Sequence, residues 1–278
     1  MTDLSILPND DELERFAADG AAPLPRSREK GHVENRGARI WFASWGEGVP
    51  VILLHGGLGH SGNWGYQVPA LIEAGHQVIV IDSRGHGRST RDAQPYTYEL
   101  MATDVIAVMD VLGVETATLV GWSDGACTAL VIAMKAASRV SGVFFFGCNM
   151  DPSGTKDVDF SNPVLGRCLG RHTKDYAQLS PTPDEFKLFS QAVELMMKTQ
   201  PNYTPQDLAR IKSPVAVVQS EGDEFIKLEH AQYLAKAIPG AELVLLQGVS
   251  HFAPLQRPDT FNQAVKAFLS RVAKVPVA

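Results

Sequence analysis

The run Gly121-Trp122-Ser123-Asp124-Gly125 sets a serine between two close glycines, a G-x-S-x-G pattern. A serine hydroxyl is a weak nucleophile until a neighbouring base takes its proton, and that base needs a carboxylate to hold the right tautomer. Three histidines follow Ser123: His172, His230 and His251. His251 lies in Gly248-Val249-Ser250-His251-Phe252, directly after the last strand-like run, and is the candidate base. His230 sits in polar Lys227-Leu228-Glu229-His230, the start of a surface helix, and His172 in a stretch without strands. Upstream of His251, Ser220-Glu221-Gly222-Asp223-Glu224 follows an apolar run and offers three carboxylates. Asp223, just past the glycine turn, is the first choice, with Glu221 and Glu224 in reserve. The chemistry these residues could do is covalent acyl transfer, in the chain order serine, acid, histidine.

Such chemistry needs donors aimed at the developing oxyanion. His55-Gly56-Gly57 closes the apolar run Val51-Ile52-Leu53-Leu54. A backbone N–H there, together with that of Asp124, would supply two donors, each commonly worth about 10²–10³ in rate. Gly57 is the first choice and Leu58 the second. Asp124 has two readings. An acidic residue in a helix's first turn is favoured by about 0.3–1 kcal/mol through the helix dipole. Alternatively, its carboxylate, which would oppose the oxyanion if left bare, receives a substrate ammonium. Asp124, Leu58 and Trp122 are the candidate substrate-binding residues.

The elements that must position these groups are legible as short apolar runs ending at glycine or aspartate. They fall at 39–45, 51–54, 78–81, 117–120, 143–146, 215–218 and 243–246. Runs of this kind are strands buried on both faces, as in parallel sheets. Between them lie helical patterns, such as Phe261, Ala264, Val265, Phe268 and Leu269. The alternation predicts an α/β fold with a mostly parallel, doubly wound sheet, whose chemistry belongs at the carboxyl ends of the strands. The rhythm breaks at 151–208, which reads as a helical cap inserted over that edge, with Phe189, Met196 and Met197 as candidate pocket liners or cap core. The expected organisation is an N-terminal extension (1–30, a short helix from Asp10 to Ala18 and a loose connector), a core formed by 31–150 and 209–278, and the cap.

A rival reading uses Gly57-Leu58-Gly59-His60-Ser61-Gly62, a G-x-G-x-x-G match, with Asp82 closing the next strand. That is the nominal dinucleotide fingerprint. It requires a helix opening inside the glycines, where Asn63 to Pro69 intervenes, and it leaves the serine, acid and histidine unexplained. No metal motif and no phosphate loop occurs, so neither metal nor cofactor is expected. Cys127, Cys148 and Cys168 form no CxxC pair and no even disulfide set. With 25 basic against 31 acidic side chains, a net charge of −6 gives no reason to expect nucleic acid or an anionic membrane. The first thirty residues lack a signal-peptide pattern and no run reaches 18 apolar residues, so a cytoplasmic protein acting on a small-molecule substrate is the expectation.

Taken together, HGG at 55–57, Asp82–Ser89, GWSDG at 121–125, GDEF at 222–225 and SHF at 250–252 resemble the α/β-hydrolase superfamily over residues 32–274. The resemblance implies the α/β-hydrolase fold, with nucleophile, acid and base at Ser123, Asp223 and His251 and oxyanion donors at Gly57 and Asp124. In that family Asp82–Ser89 is a structural turn near the site. Aspartate directly after the serine is similar to the valacyclovir-hydrolase-like α-amino ester hydrolases, where that acid receives the substrate ammonium; Ala126 departs from that group's third glycine. The implied activity is serine hydrolysis of a small carboxylic ester, α-amino esters included. A lactonase, a C–C bond hydrolase and a small-molecule receptor of the same fold are the alternatives.

Overall fold

The computed structural model describes residues 11–274. Eight strands form one sheet: β1 (Glu29–Asn35), β2 (Ala38–Trp45), β3 (Pro50–Leu54), β4 (Gln77–Ile81), β5 (Ala117–Trp122), β6 (Val140–Phe146), β7 (Val215–Gly222) and β8 (Glu242–Ser250). Their order is β1-β2-β4-β3-β5-β6-β7-β8. β2 pairs antiparallel with β1 and β4, and all other pairs are parallel. The helices are α1 (Asp11–Asp19), α2 (Gln67–Glu73), α3 (Tyr98–Val111), α4 (Asp124–Lys135), α5 (Pro163–Leu179), α6 (Phe186–Thr199), α7 (Pro205–Leu208), α8 (Leu228–Ala237), α9 (Ala253–Gln256) and α10 (Pro258–Val272).

Strand alternation divides the core into two layers. Ile52, Leu54, Ile79, Ile81, Leu119 and Phe145 face α3, α4 and α8. Val51, Leu53, Val78, Val80, Val120, Phe144 and Phe146 face the other side, where α2 and α10 contribute Val68, Leu71, Phe261, Val265 and Phe268. This is the doubly wound α/β architecture expected from the buried runs. The segment between β6 and β7 holds α5, α6 and α7, with one isolated bridge, Thr155 to Ile226, tying its start to the loop after β7.

The N-terminal segment is more integrated than a loose connector. Asp10 lies outside the described residues, but in α1 Leu13 and Phe16 are fully buried against α5 and α9. A nine-residue helix is marginal in water, so this burial, about 1.5–3 kcal/mol per side chain, is what holds it. β1 also begins inside the first thirty residues and pairs along its length with β2. Among the described residues no helix is long and apolar enough to cross a membrane.

Candidate active site

At the carboxyl end of β5 the chain turns sharply into α4. Ser123 occupies the turn at φ 54°, ψ −124°, a conformation costing about 1–3 kcal/mol that its surroundings must impose. They do so from both sides. The Ser123 N–H donates to Phe146 O of the next strand at 2.8 Å. Glycines let α4 press against the sheet: a Cβ at Gly121 would strike the Ala126 backbone, and one at Gly125 would strike the Leu54 carbonyl. The outcome is a partly exposed serine beside Gly56, with the first N–H groups of α4 next to it.

His251 follows β8. Its Nδ1 lies 2.9 Å from Asp223 Oδ2, and both side chains are buried. Asp223 Oδ1 accepts the N–H groups of Phe225 and Ile226, each at 2.9 Å. The carboxylate is thereby fixed from one side and offered to the imidazole from the other. Phe225 meets the histidine ring edge-on at 4.7 Å, and Phe146 stacks at 6.4 Å. Burial pulls the imidazole's pKa down, but the Asp223 charge and hydrogen bond, with help from Glu224 and Asp124, hold it above histidine's ordinary value. Of the reserve acids, Glu224 accepts the His251 backbone N–H at 2.9 Å, and Glu221 accepts that of Gly248. Neither is hydrogen-bonded to the imidazole. The other histidines are elsewhere: His230 accepts the Met150 N–H, and His172 is buried on α5 against Phe16.

Across from Ser123, the loop after β3 is held rigidly. His55 Nδ1 donates to Gly56 O at 2.8 Å while Nε2 accepts the Ser83 N–H at 3.0 Å. Burial lowers its pKa to about 4, so the ring is neutral. Leu58 sits at φ 62° in the turn. Among the described residues the N–H groups of Gly57 and Asp124 have no hydrogen-bond acceptor. Asp82, the residue a dinucleotide would require, is instead occupied by the N–H groups of Ser61 and Arg88 at 2.7 and 2.8 Å. A four-residue 3₁₀ turn, Ser61–Trp64, begins at the end of the glycine motif, and the next α-helix starts only at Gln67, beyond it. Among the described residues no group of three His, Cys, Asp or Glu is arranged to hold a metal ion.

Asp124 is buried at the mouth of α4. Its Oδ1 accepts the Tyr98 hydroxyl at 2.7 Å, whereas Oδ2 has no partner among the described residues. A Cβ on Gly57 would lie 2.6 Å from that free oxygen. Burial raises the Asp124 pKa to about 6, against the opposing pull of the Tyr98 hydrogen bond and of His251. Sequence spacing gave no hint of Tyr98, which lies 26 residues from its partner on a different helix. Thr97 caps α3 by accepting the Leu100 N–H, so the helix begins at Tyr98.

Trp122, expected to contact substrate, is only 2% exposed. Its ring packs against Trp64, Phe252 and His251, so it backs the histidine. Of the three cap candidates, Phe189 and Met196 are buried in the core, Phe189 stacking on Tyr176. Met197 is 40% exposed and its Cε lies against Gly57. A second link joins α5 to the loop: Asp175 bonds His60 Nε2 at 3.3 Å and the Arg171 guanidinium at 2.6 Å.

A family model described as alpha/beta hydrolase fold matches residues 49–164. A curated relative from Escherichia coli, a 2-hydroxy-6-oxononadienedioate/2-hydroxy-6-oxononatrienedioate hydrolase, is 28% identical over 84% of this chain and 91% of its own. Among solved structures, Est816, described as an N-acyl homoserine lactone degrading enzyme, is 32% identical with a TM-score of 0.68, covering 86% of this chain and 100% of its own. A thermophilic esterase from Thermogutta terrifontis shares the fold at a TM-score of 0.72 and 22% identity, covering 88% of this chain and 99% of its own.

Proposed function

Because the chain belongs to the α/β hydrolase family, we propose that it hydrolyses a small carboxylic ester or lactone through an acyl-enzyme on Ser123. His251 takes the serine proton as Ser123 attacks the carbonyl carbon. It returns that proton to the leaving oxygen, and water then releases the acid by the same route. Asp223 holds the imidazole tautomer and stabilises its charged form. The N–H groups of Gly57 and Asp124 receive the oxyanion. The observation that carries this reading is the buried Asp223–His251 contact of 2.9 Å, joined through Phe146, which stacks on His251 and accepts the Ser123 N–H, to a serine held in a strained turn. The likeness to a lactone-degrading enzyme at 32% identity supports lactones within the substrate class.

Residues 151–208 serve as the cap. The contact of Met197 with Gly57 and the Asp175–His60 bond support this, since both join the cap to the proposed oxyanion loop. Within the ester class, α-amino esters are the finer reading, because the free Asp124 oxygen is a fitting acceptor for an ammonium one carbon from the scissile carbonyl.

A second reading, C–C bond hydrolysis of a vinylogous 1,5-diketone, is favoured by the 28% identical curated relative. One experiment separates the two. Purified protein is assayed against esters, lactones and a 2-hydroxy-6-oxo-dienoate, with Ser123→Ala as blank and a fluorophosphonate as active-site label. Ester or lactone turnover, lost in Ser123→Ala, with label on Ser123, is expected. Turnover of the dienoate alone would replace the first reading by the second.

A further inference from the structure

We propose that Gln256 is a positioning residue for His251. Its backbone N–H and its side-chain oxygen clamp the two residues that flank the histidine, and Ser220 fastens the same loop to the strand that carries the acid. This rests on the acyl-transfer reading of the site and names the groups that hold the base in place for it.

An imidazole can be placed no better than the backbone that carries it. β8 ends at Ser250, whose pairing with Gly222 is the last of the β7–β8 ladder and follows a register shift. Beyond it, buried side chains take over from the sheet. The Ser250 N–H donates to Gln256 Oε1 at 2.7 Å, and the Ser250 carbonyl accepts the Ser220 hydroxyl at 2.7 Å. The Phe252 N–H donates to Ser250 Oγ at 3.1 Å, and the Phe252 carbonyl accepts the Leu255 and Gln256 N–H groups, each at 2.9 Å. Gln256 therefore meets the chain immediately before and immediately after His251. The single turn of α9 that bears it is pinned from α2, where Gln67 Nε2 donates to the Pro254 carbonyl at 3.0 Å. Ser220 lies on β7 just before the acid loop, so its bond sets the His251 loop against Asp223.

The residue type argues for more than filling space. Gln256 is fully buried, yet its Nε2 has no partner among the described residues. A buried donor left unpaired is unfavourable, and an apolar side chain of the same shape would avoid it. What the amide alone supplies is the acceptor for the Ser250 N–H, one residue from the imidazole. The packing of Phe225 and Phe146 on the ring limits its tilt, whereas Gln256 and Ser220 fix the backbone from which it projects. A shift of about 1 Å in a reacting group can cost about 10²-fold in rate. Loss of the clamp should therefore appear in proton transfer to and from Ser123 and spare substrate binding.

The test compares Gln256→Met, which keeps the length and deletes the acceptor, with Gln256→Glu, which keeps the acceptor. Thermal melts report the folded fraction, and a fluorophosphonate counts active Ser123 and gives its labelling rate whatever the natural substrate. The proton resonance of the imidazole N–H shared with Asp223 reads the position of the ring without substrate. In Gln256→Met, kcat per labelled site and the labelling rate are expected to fall about 10–100-fold with KM little changed, and the resonance to move or broaden. Gln256→Glu is expected to recover most of that loss and the resonance with it. Ser220→Ala, a small change that keeps the test decisive if Gln256→Met fails to fold, should lower kcat severalfold and disturb the same resonance. A folded Gln256→Met protein, or Ser220→Ala in its place, with rates and resonance as in wild type overturns the proposal. So does a Gln256→Glu protein no better than Gln256→Met. If wild-type protein turns over no ester or lactone, while labelling of Ser123 and the resonance still respond to Gln256→Met, the substrate reading falls and the positioning role stands.

Discussion

Asp223 divides its two oxygens between different tasks: Oδ1 is fixed by the Phe225 and Ile226 amides, and Oδ2 faces His251 Nδ1 at 2.9 Å. The loop Gly222–Ile226 therefore makes the acid a rigid part of the site, and the imidazole takes its orientation from it. An amide at this position would keep the shape but offer an N–H to one of these partners. Asp223→Asn is expected to lower kcat by about 10³–10⁴-fold by stabilising the wrong tautomer. Steady-state kinetics would expose the alternative: a variant within tenfold of wild type, with Glu221→Gln or Glu224→Gln crippled instead.

The Glu224 charge should be visible in the pH profile. Its Oε2 accepts the His251 backbone N–H at 2.9 Å, and its charge helps hold the imidazole above its ordinary value. The base works only when neutral, so kcat/KM must rise with pH through an ionisation above about 6.5. Glu224→Gln keeps the hydrogen bond and deletes the charge. The acid limb should then move to lower pH. A limb that stays in place, or moves up, would show that Glu224 does not act on His251 electrostatically.

The central strands, the serine turn and the order of acid and histidine could all be read from the chain, for one physical reason. Strands buried on both faces are continuous apolar runs, and in a parallel sheet their carboxyl ends converge. A run such as Val51–Leu54 thus announces both the strand and where its chemistry lies. β1 gave no such signal, because only Val33 of Glu29–Asn35 is buried. The docking of α1 was hidden because Leu13 and Phe16 show a partner is needed but not which one. Trp122 and Tyr98 mark the same limit at the site. Which face of β5 a side chain takes, and which residue of a distant helix reaches Asp124, are set by tertiary packing rather than by local pattern.

Met197 provides the most direct handle on the cap. It is the one cap candidate that remains partly exposed, and its terminal methyl rests on Gly57. Met197→Ala should change stability by less than about 0.5 kcal/mol, as for other half-exposed positions. It should also reorder kcat/KM across a series of acyl chain lengths, while a fluorophosphonate still labels Ser123. An unchanged chain-length profile would remove residue 197 from the pocket wall.

Acid should destabilise the fold well above the pH at which most carboxylates titrate. Burial lowers His55 to about 4 and both His86 and His172 to about 3. All three are therefore neutral in the native state, whereas an unfolded chain protonates them near 6.5. The sign follows: below pH 6.5 the unfolded state binds more protons, so stability falls as pH falls. At pH 5, one and a half units below that value, each histidine costs about 2 kcal/mol, or about 6 kcal/mol for the three. Asp124 works in the other direction. Its pKa of about 6 means the native state gains a proton first, returning about 1 kcal/mol at pH 5. His251, held above its ordinary value, also favours the native state as pH falls. The net loss is comparable with the lower end of a typical domain's stability, about 5–15 kcal/mol. Denaturant titrations from pH 8 to pH 5 should show the midpoint dropping steeply below pH 6.5. His172→Phe places a neutral ring among Phe16 and Phe252 and should flatten that slope by about a third. A midpoint constant from pH 7.5 to pH 5, or a slope unaltered by His172→Phe, would mean that these histidines take up their protons without opening the fold.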